Sequence, residues 1–296
     1  MDIYLSETQG FCTGVTRAIK LVEQAVKTYK APVYVYHSIV HNTLVVKRFE
    51  SDGVCFVESL KDAPKGATVI FSAHGVGPDI YKEAEDRGLV IIDATCPLVA
   101  KVHSKALNYS KNGVQVVLIG DKNHQEIIGI SGYVNPNLLY IVKTKHDCLN
   151  LALDPNQPVT YLTQTTLSLS DTQEIIDILR DKYPNIIVPE KSDICFETQK
   201  RQEAVLKIAE ICDLIIICGS PNSSNSRHLK KIAAGAGVES YLIDRAEELD
   251  SLWLTKKKAV GISSGASVPS EIVEAVVSKI QSLYPDARLV NPGGVS

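Results

Sequence analysis

Three cysteines stand at matching places in this chain of 296 residues. Cys12, Cys96 and Cys195 each follow a short β-branched run and precede a segment with helical apolar spacing, in steps of 84 and 99 residues (from 12 to 96 and from 96 to 195). Pro97 stands where a first helical residue belongs, because the N–H it lacks is one that a helix leaves unbonded there. A thiol just ahead of a helix meets the positive end of the helix dipole, which favours the thiolate. Three thiolates brought to one point repel unless a cation neutralises them, and their softness favours zinc or an iron–sulfur cluster. The Cys-x-x-Cys pairs of structural zinc are missing from the sequence. A cubane cluster held by three cysteines leaves one iron open. The plain alternative is that these thiols are apolar core residues. For Cys55, Cys148, Cys212 and Cys218, in or beside apolar segments, the core reading is the one the sequence favours.

Six polar loops carry the other candidates. They are residues 37–42, 72–75, 120–126, 163–166, 220–226 and 263–267, each between a strand-like run and a helix-like one. They supply His41, His74, His124, Thr165, Ser223, Ser224, Asn225 and Ser267, with few lysines or arginines. Hydroxyls, amides, imidazoles and helix N-termini together can hold a compact anion such as a diphosphate. Any one of these loops is explained equally well by N-caps and turns; six together, three of them with histidine, point to a small anionic ligand. Neither G-x-x-x-x-G-K-[ST] nor G-x-G-x-x-G occurs, which speaks against nucleoside triphosphates and dinucleotides. Glu126 lies two residues past His124. Such a pair can relay a proton as a general acid, or the glutamate can be a first-turn acid interacting with a helix dipole. Zinc deaminases also use His-x-Glu, but with a P-C-x-x-C that this chain lacks.

Parallel strands and crossover helices are the elements that must position these residues. Strand-like runs fall at about 33–36, 54–57, 67–71 and 89–93, then 114–119, 139–142, 158–162 and 185–188, then 213–218, 240–243 and 258–262. Ile175 to Leu179 and Ile272 to Ile280 have helical spacing. The sets read as one α/β unit repeated at roughly 90–100 residues. The expected units are 14–96, 97–194, and 195–284 completed by the N-terminal strand in 1–13, with 285–296 a tail. The fold class is therefore α/β: three units related by a pseudo-threefold axis around a central cavity, each a parallel sheet with crossover helices.

Composition narrows the function further. A net charge of −3 and 6% aromatic residues give no footprint for nucleic acid or a polybasic membrane patch. Apolar runs such as Leu214 to Cys218 are far shorter than the ~20 residues of a membrane span. The first residues, Met1-Asp2-Ile3-Tyr4-Leu5, do not read as a signal peptide. Seven cysteines, an odd number widely spread, suggest a reducing compartment, so a cytoplasmic protein is expected. Two other classes stay open on the residues alone: a non-enzymatic small-anion-binding α/β protein with inert thiols, and a three-thiolate zinc hydrolase.

Nine motifs in order then resemble one family. They begin with Gly10-Phe11-Cys12-Thr13-Gly14-Val15-Thr16-Arg17-Ala18, Val40-His41-Asn42, Ala73-His74-Gly75 and Asp93-Ala94-Thr95-Cys96-Pro97. They continue with His124-Gln125-Glu126, Gln164-Thr165-Thr166, Asp193-Ile194-Cys195, Asn222-Ser223-Ser224-Asn225-Ser226 and Gly265-Ala266-Ser267-Val268-Pro269. Over nearly its whole length the chain resembles the hydroxymethylbutenyl diphosphate reductases, the LytB/IspH family. The resemblance implies three α/β units around one [4Fe–4S] cluster per chain, held by Cys12, Cys96 and Cys195, with one iron not ligated by cysteine. It implies His41, His74, His124, Ser223, Ser224, Asn225 and Ser267 as diphosphate ligands. Glu126 and Thr165 would be catalytic, orienting the substrate hydroxyl and delivering protons, with Thr165 also touching substrate. The implied reaction is a two-electron dehydroxylation of an allylic diphosphate to isopentenyl and dimethylallyl diphosphate, ending the methylerythritol phosphate route. Ferredoxin or flavodoxin would supply the electrons. Two departures from the family pattern are Phe196-Glu197-Thr198, where an aromatic then Ala-Thr is usual, and Ser264 at a small-residue position. Glu197 adds negative charge beside the third cysteine, and local charge influences cluster potential.

Overall fold

The computed structural model describes residues 1–29 and 31–290. In chain order these form β1 (Asp2–Leu5), α1 (Thr13–Thr28), β2 (Val33–Tyr36), α2 (Thr43–Ser51), β3 (Val54–Val57), β4 (Thr68–Phe71), α3 (Pro78–Asp86), β5 (Val90–Asp93) and α4 (Pro97–Lys111). Next come β6 (Gln115–Ile119), α5 (Gln125–Ser131), β7 (Leu139–Val142), α6 (Lys145–Leu149), β8 (Val159–Thr163) and α7 (Leu169–Lys182). The last stretch holds α8 (Phe196–Ala209), β9 (Leu214–Cys218), α9 (Ser224–Gly235), β10 (Glu239–Ile243), β11 (Ala259–Ser264), α10 (Ser270–Leu283) and β12 (Arg288–Val290).

The strands make three all-parallel sheets with orders β3-β2-β4-β5, β7-β6-β8 and β10-β9-β11-β1-β12. One pattern underlies all three: second strand, first, third, fourth. Ile187, bridged in parallel to Thr160 of β8, takes the fourth place in the β7-β6-β8 sheet. In the last sheet β1 takes it, so the N-terminal strand does complete the third set of strands.

The chain divides into two compact units. One comprises residues 1–13, 41–45 and 196–296 and carries the five-stranded sheet. That sheet is apolar on both faces, as crossover helices require. Ile3, Leu214, Ile216, Val260 and Ile262 pack under α10 through Ile272, Val276 and Ile280. Ile215 and Ile217 pack on the other face against Val205 and Ile208 of α8 and Leu229 and Ala233 of α9. The other unit, residues 14–40 and 46–195, carries both remaining sheets. Val116, Leu118 and Leu162 pack against Val102 and Ala106 of α4 and Ile127 and Ile130 of α5. Val117, Ile119 and Tyr161 pack against Ile175 and Leu179 of α7.

Glycines explain why the expected units 14–96 and 97–194 meet in one body. A Cβ on Gly129 of α5 would lie 3.1 Å from the Gly75 carbonyl oxygen, and one on Gly132 would lie 3.0 Å from the Gly77 Cα. Gly129 of α5 and Gly132 at its C-cap, three residues apart, let the 72–77 loop lie directly on the backbone.

Three expectations are corrected. Residues 185–188 form a single bridge rather than a strand; Pro184 and Pro189 bracket them, and Ile187 and Val188 are exposed. Residues 288–290, read as tail, are a strand paired with β1, tied by an Arg288–Asp2 ion pair at 2.7 Å; the rest of that tail, 291–296, lies outside the described residues. Cys55 is exposed rather than core: it lies on the edge strand β3, where Val54 and Val57 are the buried residues.

Candidate active site

Cys12, Cys96 and Cys195 occupy one position in three sheets. Each follows the fourth-place strand, and each donates its N–H to the carbonyl of the second residue beyond the third strand. Cys96 bonds Ala73 at 3.0 Å, Cys195 bonds Thr165 at 2.9 Å and Cys12 bonds Ala266 at 3.0 Å. Cys96 is the N-cap residue of α4, while α1 and α8 begin at the residues after Cys12 and Cys195. All three are half-buried. The other cysteines differ in kind. Burial pushes the thiols of Cys212 and Cys218 up to about 12 and that of Cys148 upward as well, which keeps them protonated. By donor chemistry only the first three, at helix starts and reachable from solvent, suit a soft metal centre. Among the described residues, which include all seven cysteines, no disulfide forms, and no three His, Cys, Asp or Glu side chains are gathered into a metal-binding group.

The loops after the first strand of each sheet also repeat. His41, His124 and Ser223 each stand fifth beyond the strand's last residue, at the entry to α2, α5 and α9. His124 caps α5: its Nδ1 accepts the Glu126 N–H at 3.2 Å, so in the neutral ring the proton sits on Nε2. Ser223 caps α9 by accepting from Ser226 N at 3.3 Å.

The expected site residues divide between the two units. In the unit of residues 14–40 and 46–195, the rings of His74 and His124 meet edge to face at 5.6 Å. His74 also lies 3.2 Å from the Ser72 hydroxyl. Beside His124, Glu126 is 2% exposed, and its carboxyl accepts from Thr165 N at 2.7 Å and Thr165 Oγ1 at 3.0 Å. Burial raises the Glu126 pKa from its ordinary 4.5 to about 7, with Asp193 adding to the rise and the two Thr165 bonds opposing it. The Thr165 carbonyl receives the Cys195 N–H, so Glu126, Thr165 and Cys195 form one hydrogen-bonded run.

The other unit brings together His41, Ser223, Ser224, Asn225 and Ser267. Ser267 Oγ donates to the His41 carbonyl at 3.1 Å. Burial, with Arg227 adding to it, holds the His41 imidazole below its usual range, so it is neutral near pH 7. Asn225 is 4% exposed, and neither end of its amide has a hydrogen-bond partner among the described residues. A buried amide left open is costly unless a ligand completes it. Ser224 reaches His228 Nδ1 at 3.4 Å. Next to them, Ser226 is fully buried between Gly219 and Gly265, where a Cβ on either glycine would fall 2.2 Å from its Oγ. The unusual Ser264 has a local role: its hydroxyl accepts the Gly10 N–H at 3.1 Å, fastening the segment that enters Cys12.

His103 of α4 went unnoticed in the sequence. It is buried behind Gly75, where a Cβ would come within 2.6 Å of its ring, and it stacks on Tyr133 at 4.5 Å. Burial lowers its pKa to about 4. A lone histidine on an amphipathic helix gives no signal of such a place; the paired glycines at 129 and 132 were the available clue.

Comparison with known proteins agrees with the motifs. The family described as LytB protein matches residues 3–281. The chain is 44% identical over 283 residues to the 4-hydroxy-3-methylbut-2-enyl diphosphate reductase of Nitrosomonas europaea, covering 95% of this chain and 88% of that one. It is 46% identical over 290 residues to the reductase of the same name from Chromohalobacter salexigens, covering 97% and 92%. The solved structure of the Plasmodium falciparum E-1-hydroxy-2-methyl-but-2-enyl-4-diphosphate reductase superposes with a TM-score of 0.95 at 38% identity, covering 98% of this chain and 91% of that one. No helix among the described residues is long and apolar enough to cross a membrane.

Proposed function

Because the chain belongs to the LytB family, we propose that it is an oxidoreductase acting on (E)-4-hydroxy-3-methylbut-2-enyl diphosphate. Two electrons and two protons enter, the allylic hydroxyl leaves as water, and isopentenyl and dimethylallyl diphosphate result, as the last step of the methylerythritol phosphate route. The observation that carries the reading is the single backbone anchor shared by Cys12, Cys96 and Cys195. Equivalent, half-buried thiols at three helix starts are the donor set a [4Fe–4S] cluster with one non-cysteine iron requires. Such a cluster, when bound, supplies low-potential electrons one at a time and a Lewis-acidic iron.

The chain's own groups do the rest. His74 and His124, with His41, Ser223, Ser224, Asn225 and Ser267, bind the diphosphate through imidazole N–H, hydroxyl and amide donors, helped by the N-terminus of α9. Asn225 thereby gains the partners its buried amide lacks. Hydroxide is a poor leaving group, and a positioned acid lowers that barrier. Glu126, neutral up to about pH 7, holds the proton on its carboxyl. Thr165 Oγ1, 3.0 Å from Glu126 Oε2, orients the substrate hydroxyl and passes the proton to it. Ferredoxin or flavodoxin supplies the electrons. The seven thiols suit a reducing, cytoplasmic setting.

Anaerobic purification followed by iron, sulfide and zinc analysis, with turnover assayed under a reduced electron donor, tests the proposal. Brown protein with iron and labile sulfide that converts the diphosphate is the expected result. Colourless, metal-free protein would make it an anion binder, and zinc without colour a hydrolase; either result rejects the reductase.

A further inference from the structure

We infer that Arg17, Lys105 and Arg201 are positioning residues for the three ligand cysteines, linked in a cyclic order, with buried Arg201 the principal member. The inference rests on the cluster reading above.

Each helix that begins after a ligand cysteine carries one of these cations. Arg17 lies on α1, which follows Cys12; Lys105 lies on α4, which follows Cys96; Arg201 lies on α8, which follows Cys195. Each grips the segment entering the next cysteine in the order 12, 96, 195 and back to 12. Arg17 donates to Thr95 O at 3.0 Å and Asp93 O at 3.4 Å, just ahead of Cys96. Lys105 Nζ pairs at 2.5 Å with Asp193, two residues ahead of Cys195. The other Asp193 oxygen accepts Thr163 N at 3.3 Å, which fixes that segment to the end of β8. Arg201 donates to Gly10 O at 2.7 Å and Thr8 O at 3.4 Å, ahead of Cys12. It also donates to Ser264 O at 3.1 Å, two residues before the Ala266 carbonyl that anchors Cys12.

Arg201 is 1% exposed. Placing a guanidinium there is unfavourable unless its donors are satisfied and its charge is useful. Its Nη1 and Nη2 donate to the Thr8, Ser264 and Gly10 carbonyls, which sets the cation within two residues of Cys12. A cation so placed favours the more negative, reduced form of a bound cluster. The fork shape of arginine, which lysine lacks, lets one side chain hold Gly10 and Ser264 together.

The test uses anaerobically purified full-length holoprotein: the native chain, Arg201→Met, Arg201→Lys, Arg17→Met and, as a control on α1, Lys20→Met. Iron and sulfide per chain, the rate of iron loss to a chelator, and the midpoint potential from an EPR-monitored titration are read. Arg201→Met should lose iron roughly tenfold faster or more, the usual scale for groups that orient metal ligands, and its potential should move negative. Arg201→Lys should restore the potential, because charge is kept, but not the retention. Arg17→Met, at an exposed site, should show both effects in smaller measure, and Lys20→Met neither. Native-like retention and potential in Arg201→Met and Arg17→Met overturn the inference. If Arg201→Met fails to fold, Arg17→Met decides by the same criterion. A native chain that takes up no iron overturns the cluster reading and this inference with it, and is distinguished because it fails before any variant is compared.

Discussion

Glu126→Gln separates the energetic from the catalytic consequences of burying a carboxyl. Glutamine keeps the shape and both bonds to Thr165: its carbonyl accepts from Thr165 N, and its amide donates to Thr165 Oγ1. It cannot ionise. With the native pKa near 7 against an ordinary 4.5, the folded chain holds a proton that the unfolded chain has released between those two values. Stability from this group is therefore full below about pH 4.5 and is lost as pH rises through about 7. The ionised folded state is penalised by about 3 kcal/mol once the whole window is crossed. Glu126 is 2% exposed, so solvent does little to discount that figure. Urea unfolding followed by circular dichroism from pH 4.5 to 8, on both proteins in the same state of metal loading, reads the effect. The glutamine variant should gain stability relative to the native chain by about 3 kcal/mol across that range, while other titrating groups cancel in the difference. A difference that stays flat with pH refutes the shifted pKa. In turnover, the same variant should keep its metal and bind substrate yet slow by ~10²–10⁴, the range for loss of a positioned acid; near-native turnover removes Glu126 from proton delivery.

Cys96→Ser should strip most of the iron from anaerobically prepared protein, while Cys148→Ser should leave it intact, as elemental analysis will show. Asn225→Ala should weaken substrate binding by ~1.5–3 kcal/mol in calorimetry, the value of a hydrogen bond to a charged group. Without substrate the same change should leave the melting temperature equal or higher, because it removes a buried amide that has no hydrogen-bond partner among the described residues; a clear fall would show that the amide is satisfied within the chain. Gly75→Ala should lower stability by roughly 1–3 kcal/mol in urea unfolding, since Gly75 has a φ of +73° and a Cβ would strike His103 at 2.6 Å.

The strands were legible because parallel sheets bury both faces, and runs such as Leu214-Ile215-Ile216-Ile217-Cys218 have almost nowhere else to go. The places of Cys12, Cys96 and Cys195 were legible for a related reason: a strand, a short loop and a helix start leave a strong pattern even without an alignment. What stayed hidden depends on tertiary contact. The 185–188 run has strand-like residues but is cut short by flanking prolines. Strand β12 hides behind Asp286 and Arg288 and is made a strand by β1. Cys55 and Phe56 belong to an apolar run, yet placement on an edge strand leaves the thiol exposed. Nothing local to Glu126 announces that Thr165, 39 residues away, supplies both of its donors. The depth of His103 likewise comes from Gly75 and Gly129, on neighbouring elements.

Repetition with local divergence sets Glu126 apart from its counterparts in the other two sheets. The three backbones agree where three like donors are wanted: each cysteine N–H finds the carbonyl two residues past the third strand. They differ at the residues that would hold a proton. Glu126 stands seventh beyond β6; the seventh residue beyond β2 is Thr43, an exposed side chain bonded to Asp244 at 2.6 Å, and beyond β9 it is the buried Asn225. The anchoring carbonyl belongs to Thr165 in one sheet but to Ala73 and Ala266 in the others. Alanine has no hydroxyl, so a carboxyl placed at Thr43 or Asn225 would lack the side-chain donor that Thr165 gives Glu126. Burial without that bond would still raise a pKa, but the proton would have no hydroxyl through which to leave. The repeated frame thus gives the three cysteines equivalent backbone positions, while Glu126 and Thr165 set one sheet apart by a buried, hydrogen-bonded carboxyl.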